Sequence, residues 1–302
     1  MDIKERIQQL KKERNAVILV HNYQLPEVQD IADFTGDSLG LSIQASKTQA
    51  GLIVFCGVYF MAETAKIVSP QKTVVIPEPG AGCPMADMIT VAQLRELKAK
   101  HPHAKTLCYV NTSAEVKAEC DLCCTSANAV DIVKKAFSLK DQVIFVPDKY
   151  LAGYVQRVTG YDIIAWPGYC PTHAKILSEA VFTQKRLHPK AKILVHPECN
   201  KEVLDLADEI LSTEGILRYA RASQAKEMII ATEKGIIYRL KKENLDKEFY
   251  SAGEDAVCPN MKMIDLPKVL RSLEDISYKV ELKPEIIEKA SRGIKKMLEL
   301  TA

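Results

Sequence analysis

The chain has 302 residues, enough for two or three domains, each with its own buried core. Its 47% hydrophobic and 26% charged residues are those of an ordinary folded protein and exclude a disordered, collagenous or coiled-coil chain. Forty-one basic against 39 acidic residues leave a net charge of +2, which points to no nucleic acid and no anionic membrane as partner.

At the N-terminus, Met1 to Asn15 is a charged amphipathic run without an apolar stretch, so no secretory signal is read there. Further on, Gly51 to Ala62 is the longest uncharged apolar run and falls short of the ~20 residues that a membrane helix needs. No membrane association is expected, and the expected location is cytoplasmic. In a reducing compartment the nine cysteines suit metal binding or catalysis better than disulfides.

The first helical pattern covers Ile3 to Lys12 and is followed by the apolar run Val17 to Val20, which ends in His21, Asn22 and Tyr23. Pro26 suits a first helical position, with Glu27 in that helix's first turn. A second, hydroxyl-led helix begins near Ser38, and Leu52 to Phe55 and Lys72 to Ile76 read as further strands. The same order then returns. Val91 to Lys100 is helical, Thr106 to Tyr109 is a strand ending before Asn111, Ser113 is an N-cap and Ser126 leads the next helix. Gln142 to Val146 and Tyr161 to Ala165 follow as strands. A third copy comprises a helix over Ala174 to Leu187, a strand from Lys192 to Val195 that leads into His196 and Glu198, the cap Asn200, a helix led by Thr213 and a strand over Glu227 to Ala231. Pro284 to Leu300 reads as a closing helix.

The repeat interval is 87 or 88 residues. His21, Tyr109 and His196 are each followed six residues later by Glu-Val and 17 residues later by Ser38, Ser126 or Thr213. Cys83, Cys170 and Cys258 keep the same interval, and each precedes a proline, as no other cysteine does. Random pairing of nine cysteines with 14 prolines would give about 0.4 such dipeptides. Alternating helices and strands without strict polar alternation predict small α/β layers with buried parallel sheets. The boundaries follow the cysteines: 1–85, 86–172 and 173–262, with 263–302 packing back on the first unit.

Ligands of such sheets sit beyond the carboxyl ends of the strands, where His21, Tyr23, Tyr109, Asn111, His196 and Glu198 emerge. If the three units surround a pseudo-threefold axis, these side chains and the three Cys-Pro turns converge. Three thiolates without close Cys pairs suit a [4Fe-4S] cluster with one open iron, a Lewis acid for dehydration, better than zinc. An iron-sulfur sensor and a structural zinc protein use the same thiols; neither needs an acid/base group such as Glu198 or Tyr23. The Cys120-x-x-Cys123 pair with Cys124 reads as packing. Helix capping accounts for Ser38, Ser126 and Thr213 taken singly, while three helix N-termini facing one cavity suit a polyanion. His173, three residues after Cys170, is open between cavity and rim.

The motifs His21-Asn-Tyr23, Gly36-Asp-Ser38, Gly82-Cys-Pro-Met85, Tyr109-Val-Asn111, Cys124-Thr-Ser126, Gly168-Tyr-Cys170, His196-Pro-Glu-Cys199, Ser212-Thr213 and Cys258-Pro-Asn-Met-Lys262 span nearly the whole chain. Together they closely resemble the quinolinate synthase family of NAD biosynthesis. The resemblance implies a triangle of three homologous α/β/α domains with a [4Fe-4S] cluster on Cys83, Cys170 and Cys258. It implies condensation of iminoaspartate with dihydroxyacetone phosphate to quinolinate, phosphate and water. Substrate binding then falls to His21, Ser38, Tyr109, Val110, Asn111, Ser126, His196, Pro197, Glu198 and Thr213, and catalysis to Tyr23, His196 and Glu198. An aspartate oxidase or dehydrogenase is the implied source of the imine. Extra cysteines that some members carry near the third ligand are missing after Cys258, so no thiol switch is expected there.

Overall fold

The computed structural model describes residues 2–301. It contains three four-stranded sheets, all parallel and all with the same strand order. The first comprises β1 (Ala16–His21), β2 (Phe34–Gly36), β3 (Leu52–Cys56) and β4 (Thr73–Val75), in the order β2-β1-β3-β4. The second repeats this order with β5 (Lys105–Tyr109), β6 (Leu122–Cys124), β7 (Gln142–Val146) and β8 (Asp162–Ala165). The third does so with β9 (Lys192–Val195), β10 (Glu209–Ile210), β11 (Glu227–Ala231) and β12 (Glu248–Ser251). The fold is thus three α/β/α layers.

The central strands carry the core because both their faces are covered. All five residues of β3, Leu52-Ile-Val-Phe-Cys56, are buried, as are Val17 to His21 of β1. Continuous apolar strands of this kind need helices on both sides, and each buried Val, Leu or Ile contributes roughly 1.5–3 kcal/mol. Beyond the third unit, the helix Leu266–Asp275 packs on Ile3–Glu13 and β3. The helix Pro284–Thr301 lies against Ala114–Ala118, β6, Tyr59–Val68 and Ala129–Ala136.

Several local expectations change. The helix read from Ala174 begins at Ser178, because Pro171–Ala174 forms a separate turn behind Cys170. The short strands β2, β6 and β10 and the last strand β12 were not read from the sequence. The hydroxyls of Ser38 and Thr213 are not caps. Asp37 and Ser212, one residue earlier, cap those helices by accepting the N–H groups of Gly40 and Gly215. Ser126 lies ahead of its helix, which starts at Ala129 after Asn128.

One backbone tie recurs in every unit. The amide three residues past the third strand (β3, β7 or β11) donates to the carbonyl two residues before the Cys-Pro step. The pairs are Tyr59 to Ala81 at 2.8 Å, Lys149 to Gly168 at 2.8 Å and Lys234 to Ala256 at 3.0 Å. Gly168 is required at its place, since a Cβ there would lie 2.5 Å from the Pro147 carbonyl oxygen. Among the described residues no helix is long and apolar enough to cross a membrane.

Candidate active site

A cavity of about 180 Å³ is lined by residues from all three units. Cys83, Cys170 and Cys258 line it together, although 87 or 88 residues separate them in the chain. Each is half-buried at the start of a short helical turn. Burial raises all three thiols, Cys83 to about 12, against the opposing pull of the amides of Ala86, His173 and Met261, each three residues on. The same turn therefore presents each sulfur, and the amides favour its deprotonated form.

From the first unit, His21 ends β1 and Ser38 opens the helix Ser38–Lys47; both line the cavity. Tyr23 lines it too, its ring edge-on to His21 with centroids 4.6 Å apart. The second unit supplies Tyr109, Asn111 and Ser126, and the third supplies His196, Glu198 and Thr213. Asn111 Oδ1 is buried without a hydrogen-bond partner among the described residues, as befits an acceptor that awaits a ligand. Val110 and Pro197 are buried but do not line the cavity; the Val110 amide instead donates to Cys124 across the sheet.

A continuous hydrogen-bond chain crosses the site. Tyr23 Oη lies 2.6 Å from Thr232 Oγ1, which lies 2.8 Å from His173 Nε2. His173 Nδ1 is 2.8 Å from Glu198 Oε2, and Glu198 Oε1 accepts a 2.5 Å bond from Tyr109 Oη. His196 stacks on His173 with centroids 4.6 Å apart, and its Nε2 is 3.2 Å from Ser126 Oγ.

Burial and the Lys262 ammonium push His21 down to about 3, and burial does the same to His196 against the pull of Glu198. Both are neutral at physiological pH. For Glu198, burial opposes ionisation, but His173, His196 and Tyr109 outweigh it and hold the carboxyl well below its usual range. Burial and the Glu198 charge raise Tyr23 and Tyr109 well above the usual phenol value. The Glu198 carboxylate thus shares the cavity with the neutral imidazoles of His21 and His196 and the protonated phenols of Tyr23 and Tyr109.

Sequence reasoning left His173 undecided and missed Thr232, Glu233 and Lys262. Thr232 and Glu233 directly follow β11, so the strand-end rule applied to the first strand of each unit would have found them if extended to the third. Among the described residues, the ligand atoms of Cys170, His173 and Glu198 lie within 4.8 Å of one another. Cys56, Cys108, Cys120, Cys123, Cys124 and Cys199 do not line the cavity.

The family model for "Quinolinate synthetase A protein" matches residues 5–299. The quinolinate synthase of Dehalococcoides mccartyi is 55% identical over 298 residues, covering 99% of this chain and 98% of that protein. Those of Methanosarcina barkeri and Thermodesulfovibrio yellowstonii are each 53% identical, covering 97% and 98% of this chain and 96% and 97% of their own lengths. With its three sheets and shared cavity, the chain belongs to the quinolinate synthase family, the enzymes that form quinolinate in NAD biosynthesis.

Proposed function

We propose that this enzyme condenses iminoaspartate with dihydroxyacetone phosphate, yielding quinolinate, one phosphate and two waters, with a [4Fe-4S] cluster on Cys83, Cys170 and Cys258. The observation that carries the reading is the lining of one cavity by three repeat-spaced thiols together with polar side chains of all three units. Three lone thiols at the repeat interval suit a cluster better than zinc, whose thiolate sites commonly recruit close Cys pairs.

When bound, such a cluster supplies an open iron that acts as a Lewis acid. The protein's own groups do the rest. Ser38 and Thr213, freed from capping by Asp37 and Ser212, offer hydroxyls beside the first-turn amides at the N-termini of two ten-residue helices. Those positions suit carboxylate and phosphate oxygens. Ser126, Asn111, His21 and His196 orient the same framework with neutral donors and acceptors. Glu198 is the base that removes a carbon-bound proton, and Tyr23 is the acid that meets a leaving oxygen. The chain through Thr232 and His173 links the two. The buried walls exclude the water that would hydrolyse the imine.

We further propose unit boundaries at 85/86, 172/173 and 262/263, a cytoplasmic location, and supply of the imine by an aspartate oxidase or dehydrogenase. The decisive experiment is anaerobic turnover of the reconstituted protein with freshly generated iminoaspartate and dihydroxyacetone phosphate, read as quinolinate and phosphate in equal amounts. Iron and sulfide uptake without quinolinate would favour a sensor instead.

A further inference from the structure

Glu233 is a fully buried carboxylate that the proposed chemistry does not use. It sits two residues past the end of β11, against the cavity wall. Its Oε1 accepts the Cys258 amide at 3.1 Å and its Oε2 accepts the Gly235 amide at 2.7 Å. The Lys262 ammonium lies 2.9 Å from Oε1 and also donates to the carbonyl of Tyr23 in the first unit. The turn from Cys258 to Lys262 is therefore gripped at both ends by one side chain and tied across to its neighbour. A Cβ at Gly235 would lie 2.7 Å from both Glu233 Oε2 and Lys262 Nζ, so glycine is what admits the grip. Removing a carboxylate from water costs several kcal/mol, offset only where its oxygens are paired as these are.

The second unit has a counterpart. Asp148 is also fully buried, two residues past β7; its Oδ1 accepts the Leu151 amide at 2.7 Å, while its Oδ2 has no hydrogen-bond partner among the described residues, and burial with the Glu198 charge raises the carboxyl well above its usual range. In the first unit the equivalent residue is Val58, which has no acceptor to offer. An acidic side chain thus recurs at this place in two of three copies, and in the third unit it accepts the amide of the cysteine that the unit contributes. Resting on the assignment of these cysteines to the cluster, we propose that Glu233, locked by Lys262, is the positioning residue of Cys258 and holds its turn in the geometry that a cluster requires.

The test compares the parent with Glu233→Gln, which keeps the size but cannot satisfy two amides and an ammonium. In the cluster-free chain, alkylation by iodoacetamide is followed peptide by peptide. Local loosening of about 1 kcal/mol speeds Cys258 roughly five-fold relative to Cys83. In the reconstituted protein, the variant loses iron to a chelator faster and gives an altered EPR signal on reduction. A Cys258 to Cys83 rate ratio equal to the parent's overturns the proposal, whether neither rate changes or both rise together. Should the parent itself take up no iron and sulfide, the cluster assignment fails while the alkylation ratio still decides the positioning role. If Glu233→Gln does not fold, the same ratio is read on Lys262→Met, and an unchanged value there also overturns it.

Discussion

The phenol of Tyr109, at the end of β5, donates a 2.5 Å hydrogen bond to Glu198, three residues past the end of β9, and so joins the second unit to the third in the shared cavity. This bond is one of the forces that keep Glu198 ionised against its burial. In Tyr109→Phe the carboxyl's pKa therefore rises, a larger share is protonated at a given pH, and the acid limb of kcat/KM moves towards neutrality. A bond to a charged group is worth ~1.5–3 kcal/mol, so the limb should move by about one to two pH units, with little change at pH 7. A pH profile superimposable on the parent's would remove this coupling.

Glu198→Gln tests the base directly. Loss of a positioned acid/base group costs roughly 10²–10⁴-fold, and it should appear in kcat with iron and sulfide content unchanged. A variant with more than about a tenth of the parent's turnover would show that the proton leaves by another route.

Cys83→Ala, Cys170→Ala and Cys258→Ala should each abolish cluster uptake on anaerobic reconstitution. Cys120→Ala should not, because Cys120 lies outside the cavity. Absorption and iron analysis decide the matter, and equal loss in the Cys120 variant refutes the division.

The two buried neutral histidines make stability depend on pH. His21 and His196 fall to about 3 in the folded chain from 6.5, so below pH 6.5 the unfolded state binds protons that the native state refuses. Stability then declines as pH falls through the window from 6.5 to about 3, by on the order of 1 kcal/mol per pH unit for each histidine. Urea titrations of the cluster-free chain at pH 7 and 5 measure the slope. His196→Gln should make it shallower, and an unaltered slope would contradict the assignment.

Gly168→Ala should disturb the turn that carries Cys170, since the new methyl would meet the Pro147 carbonyl at 2.5 Å. Overpacking of this kind costs ~1–3 kcal/mol, seen as a lower urea midpoint and faster iron loss. A parental midpoint together with parental iron retention would show that the turn yields freely.

The repeat was legible because three Cys-Pro steps and three strand ends keep a constant interval, and the same interval led to the shared cavity. Its limits are equally physical. Strands such as β10, with two residues, are too short to show any periodicity. Ser38 and Thr213 looked like caps because a hydroxyl at a helix start is the usual sign of one; the true caps stand one residue earlier. Val58, Asp148 and Glu233 occupy matching places but are 90 and 85 residues apart, since the connecting loops differ in length, so a search at 87 or 88 passes over them. Lys262 and Thr232 act through contacts made only when units meet, which no single-unit pattern contains.

The recurrent tie between each third strand and its Cys-Pro turn uses only peptide groups. Residue identity is therefore irrelevant to it: tyrosine at 59 and lysine at 149 and 234 serve alike, and the flanking chemistry can diversify while the frame stays put. Only an imino acid, which brings no hydrogen to give, is barred from those three places.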